Sequence, residues 1–165
     1  MTGKIQIRVL AVGKVREAYW RDAAAEYRKR LSAYATKLEV VEVADEPTPD
    51  GASPAQEEAV RLREAERLLA RVGEREYVVA LDGSRGATLT SEAFSAHLSR
   101  RAAEGDGAFA FVIGGSLGLP PSVLERADFA LSFGALTFPH QLMRVLLLEQ
   151  LYRAMKIARG EAYHK

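Results

Sequence analysis

The chain has 165 residues, 48% of them hydrophobic, with 23 Lys/Arg against 22 Asp/Glu for a net charge of +1; this composition fits one ordinary packed domain and excludes a disordered chain or a repeat array. It has no cysteine and three histidines, none spaced as a metal pair, which argues against disulfides, thiolate chemistry and a zinc site. The charges are uneven: residues 1–37 hold nine Lys/Arg and three acids, 139–165 hold five and two, and the middle holds nine and seventeen, so two basic ends brought together would form a face able to meet phosphates.

The first fifteen residues have too short an apolar stretch and no small-residue cleavage pattern for a secretory signal. The charge-free run from Gly107 to Leu124 is interrupted by four glycines and two prolines, unlike a membrane helix. A cytoplasmic protein without a membrane span is expected.

In chain order, Ile5, Ile7 and Val9 alternate within Lys4 to Val12 and predict a strand. Trp20, Ala23, Ala24, Tyr27 and Leu31 recur at helical spacing from about Glu17 to Tyr34, with Arg28, Lys29 and Arg30 near the end where the helix dipole favours cations. Leu38 to Val43 reads as a second strand and Asp45 to Ser53 as a loop. Ser53-Pro-Ala-Gln56 closes that loop as a capping box and opens a helix to about Val72. Tyr77 to Leu81 predicts a short buried strand ending in the turn Asp82-Gly-Ser-Arg-Gly86. A helix over Ser91 to Ala103, a strand over Ala108 to Ile113 and the loop Gly114-Gly-Ser-Leu-Gly-Leu-Pro-Pro121 follow. A short helix at Val123 to Arg126, a strand at Phe129 to Ser132, the loop Phe133 to Pro139 and a long helix from His140 to Ala158 complete the chain. Five strands alternating with helices predict an α/β fold, a mostly parallel sheet covered by helices on both faces.

The loops beginning at Leu81, Gly114 and Phe133 all follow strand ends on one predicted edge, where α/β proteins bind ligands. The glycine loop lacks both the dinucleotide spacing and the Lys-Ser/Thr of a phosphate loop, and an apolar wall with free backbone groups suits a flat adenine ring better than a triphosphate. Phe133 and Phe138 also fit an ordinary core role. The last helix carries an apolar surface wider than one stripe, from Leu142 to Ile157, interrupted by Arg144, Arg153 and Lys156. Its own sheet can cover one side and a second copy the other, which predicts a homodimer with those cations beside the interface. His140 and His164 are candidate bases, His97 has no supporting neighbours, and the tail Arg159-Gly-Glu-Ala-Tyr-His-Lys165 is rich enough in functional groups to be expected tied down.

Four blocks in order, Phe111-Val-Ile-Gly-Gly-Ser-Leu-Gly118, Leu131-Ser-Phe-Gly-Ala-Leu-Thr-Phe-Pro-His140, Arg144-Val-Leu-Leu-Leu-Glu-Gln-Leu-Tyr-Arg-Ala154 and the tail from Arg159 to Lys165, resemble the bacterial 23S ribosomal RNA pseudouridine N3-methyltransferases of the SPOUT class. Leu10-Ala-Val-Gly-Lys14 and Val79-Ala-Leu-Asp82 resemble them too, so the likeness spans the chain. It implies one SPOUT domain over residues 1–165 with a C-terminal trefoil knot, an exception to the rule that chains do not thread their own loops. It also implies S-adenosylmethionine as cofactor, held by Leu81, Gly114, Phe133, Gly134, Ala135, Leu136, Thr137 and Phe138. The implied substrate is a pseudouridine of 23S rRNA on the assembled ribosome. Removal of the N3 proton calls for a base or a cationic environment; His164 or Tyr163 from one subunit's tail, assisted by Arg144 or Arg153, is expected to act at the partner's cofactor. Arg16, Arg28, Lys29, Arg30 and Arg159 are expected to meet RNA phosphates. A noncatalytic ribosome-associated RNA-binding protein on the same fold is the alternative, and a nucleotide hydrolase is disfavoured by the missing phosphate loop.

Overall fold

A computed structural model describes residues 4–163. Its sheet follows from five apolar runs and one short addition: β1 (Ile5–Val12), β2 (Ala35–Val43), β3 (Tyr77–Leu81), β4 (Ala87–Thr88), β5 (Ala108–Ile113) and β6 (Phe129–Ser132). They lie in the order β2-β1-β5-β3-β6-β4, with every pairing parallel. Because parallel strands need crossovers that cover both faces, the central strands are apolar throughout, and all of β3 is buried.

Helices α1 (Ala18–Ser32), α3 (Ser91–Ala103) and α5 (His140–Ala158) cover one face. There Leu31, Leu98, Leu147 and Leu151 pack against Ile7, Val9, Phe109 and Phe111. Helices α2 (Pro54–Leu69) and α4 (Pro121–Arg126) cover the other, where Leu68 and Val123 meet Leu10, Val78 and Val112. The predicted capping box is present: Ser53 Oγ accepts from the Gln56 N–H and Gln56 Oε1 from the Ser53 N–H, satisfying two donors at the start of α2. The two basic segments do meet, since α1 packs beside α5.

Helix ends shift by two or three residues, and two strands differ from the sequence reading. Strand β2 begins at Ala35 rather than Leu38 because Ala35 and the exposed Lys37 pair with Ile5 and Gln6 of β1, the register skipping Thr36 at an irregularity between them. The two-residue β4 has no periodicity to read and is fixed by its pairing to Leu131 and Ser132 of β6. No helix among the described residues is long and apolar enough to cross a membrane, and no group of them could hold a metal ion.

His97, to which the sequence assigns no role, lies against Phe129 with ring centroids 4.3 Å apart, and its Nε2 is 2.9 Å from the Tyr77 hydroxyl. Burial, then the charges of Arg100 and Arg101, push its pKa below the ordinary value. The unfolded chain therefore takes this proton first, so the stability it contributes is present above the ordinary histidine pKa of about 6.5 and is lost as pH falls through the lower folded value. Thermal denaturation should show a decline in Tm from about pH 7 to about pH 5 that is shallower in His97→Gln. Equal slopes in parent and variant would count against this origin.

Candidate cofactor cleft

The adjacent order β5-β3-β6 sets three strand ends side by side, and the loops leaving them enclose a cleft of about 370 Å³. Leu81, Gly114 and the whole segment Phe133, Gly134, Ala135, Leu136, Thr137, Phe138 line it, together with Asp82, Gly115, Ser116, His140 and Met143. All eight residues implied as cofactor contacts are thus brought to one place.

The loops are tied to one another by groups that the sequence did not single out. Buried Ser132 accepts from the Gly134 N–H at 3.0 Å and donates towards the Gly83 carbonyl at 3.0 Å, so one hydroxyl joins the first and third loops. Arg85 donates to the Leu119 carbonyl at 2.8 Å and to Asp82 Oδ2 at 2.7 Å, joining the first loop to the second. Burial alone would raise the Asp82 pKa; the bonds from Arg85 and Ser84 overcome it and hold the carboxyl below its ordinary range. Asp82 is therefore an anion committed to shaping the turn.

The glycines serve packing more than ligand approach. A β-carbon on Gly114 would fall 2.8 Å from the Gly118 carbonyl carbon, inside the loop rather than in the cleft. On Gly86 it would lie 2.5 Å from the Leu131 carbonyl carbon and 2.6 Å from the Ser132 nitrogen, backbone atoms that cannot swing aside. We expect Gly86→Ala to cost about 1–3 kcal/mol, the usual penalty of overpacking, and to weaken cofactor binding with it. Chemical denaturation and titration calorimetry on the same variant check this; unchanged stability would remove the steric argument.

The residues expected to act on the proton are not gathered in this cleft. Arg144 is 4% exposed, and its guanidinium donates to Glu42 Oε2 and to the Gly13 carbonyl at 2.6 Å, with Val12 O at 3.3 Å. It locks α5 to β2 and to the end of β1. Arg153 pairs with Glu149 one turn earlier and stacks over the Tyr163 ring at 3.9 Å. The Tyr163 hydroxyl donates to Glu149 Oε1 at 2.7 Å, and burial followed by that bond pushes its pKa up to about 12. Tyr163 is consequently a phenol at neutral pH, able to donate a hydrogen bond but not to serve as a resident base. Met143 lines the cleft and Arg153 lies ten residues further along α5, roughly 15 Å at helical rise. A chain's own Arg153 is therefore remote from its own cleft. His164 lies outside the described residues. The described part of the tail, up to Tyr163, is held: Tyr34 and Lys156 both donate to Glu161 Oε2, at 2.6 and 3.1 Å.

His140, the other candidate base, lines the cleft at the first turn of α5. Burial and then the Arg144 charge lower its pKa, which leaves it neutral at physiological pH.

A parallel sheet with helices on both faces and a cleft built from the loops after β3, β5 and β6 defines an α/β protein whose candidate ligand site lies at the carboxyl ends of its strands. A family model described as "Predicted SPOUT methyltransferase" matches residues 5–164. Ribosomal RNA large subunit methyltransferase H of Symbiobacterium thermophilum is 56% identical over 98% of this chain and 100% of its own length, and that of Carboxydothermus hydrogenoformans is 53% identical over 98% and 100%. The chain belongs to this ribosomal RNA large subunit methyltransferase H family of SPOUT methyltransferases. Two solved structures share the fold at low identity. A probable methylase family protein from Haemophilus influenzae has a TM-score of 0.53 at 15% identity, covering 96% of this chain and 70% of its own. A probable methyltransferase from Bordetella pertussis has a TM-score of 0.52 at 18%, covering 92% and 95%.

Proposed function

We propose that the chain transfers a methyl group from S-adenosylmethionine to N3 of a pseudouridine in 23S rRNA on the assembled ribosome. The observation that carries this is the full-length match to large subunit methyltransferase H relatives, joined to an intact cleft at the strand ends. The cleft suits an adenosyl group: Leu81, Phe133, Phe138 and Met143 give it apolar walls. The N–H groups of Ala135, Leu136, Thr137 and Phe138 have no hydrogen-bond partner among the described residues, so they can meet the polar edge of a base.

The cofactor supplies a methyl group already activated on a sulfonium. The protein's part is to hold that group in line with the attacking nitrogen, to exclude water and to stabilise the charge left when the N3 proton departs. Because Arg153 and Tyr163 are remote from their own cleft, they act at the cleft of a second copy, Tyr163 by donating its O–H and Arg153 as the cation, with His164 of the same tail as the proton acceptor. Arg144 supports this site from behind by fixing the first turns of α5.

A dimer is supported by the groove beside the cofactor cleft, where Leu89, Phe133, Phe138 and Leu146 give an apolar wall interspersed with uncharged polar groups such as Thr88, Thr90 and Gln150. RNA binding would come from the α1 and α5 side, where Arg16, Arg28, Lys29, Arg30 and Arg159 lie; Arg30 is paired with Glu26, so the net attraction is modest. We further propose that residues 1–165 act as one domain, with a trefoil threading of the last strand and helix, in the cytoplasm. Incubating ribosomes that lack the modification with labelled cofactor, then mapping the methylated nucleotide, tests the whole reading. Label at one pseudouridine is expected; no label, or label on a uridine or a ribose, overturns it.

A further inference from the structure

The loop after β5 is a ridge with a cleft on each side. On the β3 and β6 side lies the cofactor cleft. On the β1 and β2 side lies a second cleft of about 370 Å³, and Gly115, Ser116 and His140 belong to the walls of both. A methyl acceptor must approach the donor to roughly 3–3.5 Å, so its base has to come from a space that shares a wall with the cofactor cleft. Two such spaces adjoin it. The groove beside Phe133 and Phe138 is walled by Leu89, Phe94 and Leu146 with Thr88, Thr90, Ser91 and Gln150, a mixed surface without a charged group, suited to protein packing. The second cleft is walled instead by polar groups, Lys14 and Arg16 together with Glu17, Asp45, Glu46, Glu64, Ser116 and His140, so that its acceptors suit the N–H edge of a base and its two cations are the groups left for phosphates.

Resting on the methyltransferase reading above, we infer that this second cleft receives the target nucleotide, with the Glu64 carboxylate accepting an N–H of the base and Lys14 and Arg16 flanking its phosphates.

Glu64 is placed for this role by the helix that carries it. Val60, Glu64, Ala65 and Leu68 form the buried stripe of α2, so a carboxylate stands where an apolar residue is the rule. Glu64 is 5% exposed, and its Oε2 accepts from the Glu46 N–H at 3.0 Å. Its Oε1 has no partner among the described residues and faces the cleft wall at Gly115, where a β-carbon would sit 3.0 Å from it. Gly115 leaves that oxygen open, and the ridge between the clefts is thin at this point. Among the described residues no cation forms an ion pair with Glu64, and burial raises its pKa; its Oε1 is not among the fully buried unpartnered atoms, so it is open to a ligand's N–H, which a carboxylate accepts strongly. Lys14 and Arg16 are exposed and make no ion pair among the described residues, leaving both free for phosphates. A pseudouridine, unlike uridine, offers two ring N–H groups, one on each side of O2, so a second acceptor beside the methylated nitrogen reads the isomer as well as placing it.

The experiment compares parent, Glu64→Gln, Glu64→Ala and Lys14→Ala/Arg16→Ala. Cofactor affinity is measured by calorimetry, Tm by denaturation, and kcat/KM on ribosomes carrying either pseudouridine or uridine at the target. Glu64→Gln is nearly isosteric and should keep its Tm and cofactor affinity while kcat/KM falls about 10- to 100-fold, the loss of one charge-assisted hydrogen bond; its preference for pseudouridine should shrink in parallel. The double variant should raise KM with kcat little changed. If Glu64→Gln retains both kcat/KM and isomer preference, or loses activity only in step with Tm or cofactor affinity, the inference is overturned. If the parent itself methylates neither ribosome, it is the methyltransferase reading that fails.

Discussion

Removal of residues Ala162 to Lys165 should abolish methyl transfer while leaving cofactor binding nearly intact. The tail's described part is anchored on the outer half of α5, where Tyr163 meets Glu149 and Arg153, far from the cleft whose last helical residue is Met143. Loss of a proton acceptor together with a hydrogen-bond donor corresponds to a reduction of about 100- to 10,000-fold in kcat. A sharper form mixes the truncated chain with a Gly114→Val chain, whose side chain would be driven into the Gly118 backbone and spoil the cofactor cleft. If each active centre uses the cleft of one subunit and the tail of the other, mixed dimers hold one centre with both parts whole and activity returns. Two inactive parents whose mixture stays inactive, although mass measurement shows mixed dimers, would falsify a shared site.

The second large effect is expected at Arg144. Its side chain is the strongest tie between the last helix and the far side of the sheet, joining α5 to Glu42 of β2 and to the carbonyls at the end of β1. Arg144→Ala removes a buried cation, strands those carbonyls and leaves a cavity, for a loss of about 3 kcal/mol. The buried Nε already lacks a partner, so the group is held by its terminal nitrogens, and Arg144→Lys, which cannot reach several acceptors at once, should recover only part of the loss. The discriminating measurement is denaturation without cofactor or RNA. Full stability there, with turnover gone, would make Arg144 a residue of the reaction rather than of the scaffold.

Most of the sheet was legible because β3 and β5 read as uninterrupted apolar runs, because β1 alternates apolar residues at Ile5, Ile7 and Val9, and because Ser53 and Gln56 announce α2 by a local rule. Local rules could not announce β4, whose two residues are a strand only because Leu131 and Ser132 are beside them. That three glycine-bearing strand ends would meet at one cleft was legible. What holds it was not, since Ser132 and Arg85 act across 49 and 34 residues of sequence. Arg144 looked like an interruption of an apolar surface and proves to be an internal strut. Glu64 did leave a trace: four residues after Val60 and four before Leu68, it sits on the apolar stripe of α2, yet among the neighbouring Glu57, Glu58 and Glu66 it passes for one more solvated charge.

The docking of α5 between α1 and α3 also governs how the molecule can be made. Tyr34, just past the end of α1, is bonded to Glu161 across 127 residues, and the face of β1 and β5 under α5 stays bare until α5 has emerged from the ribosome. Contacts of such long sequence separation form late and slowly. A nascent chain interrupted anywhere before its final helix therefore carries an uncovered apolar sheet and no closed cleft, so that premature termination yields prey for proteases rather than a competitor for the cofactor.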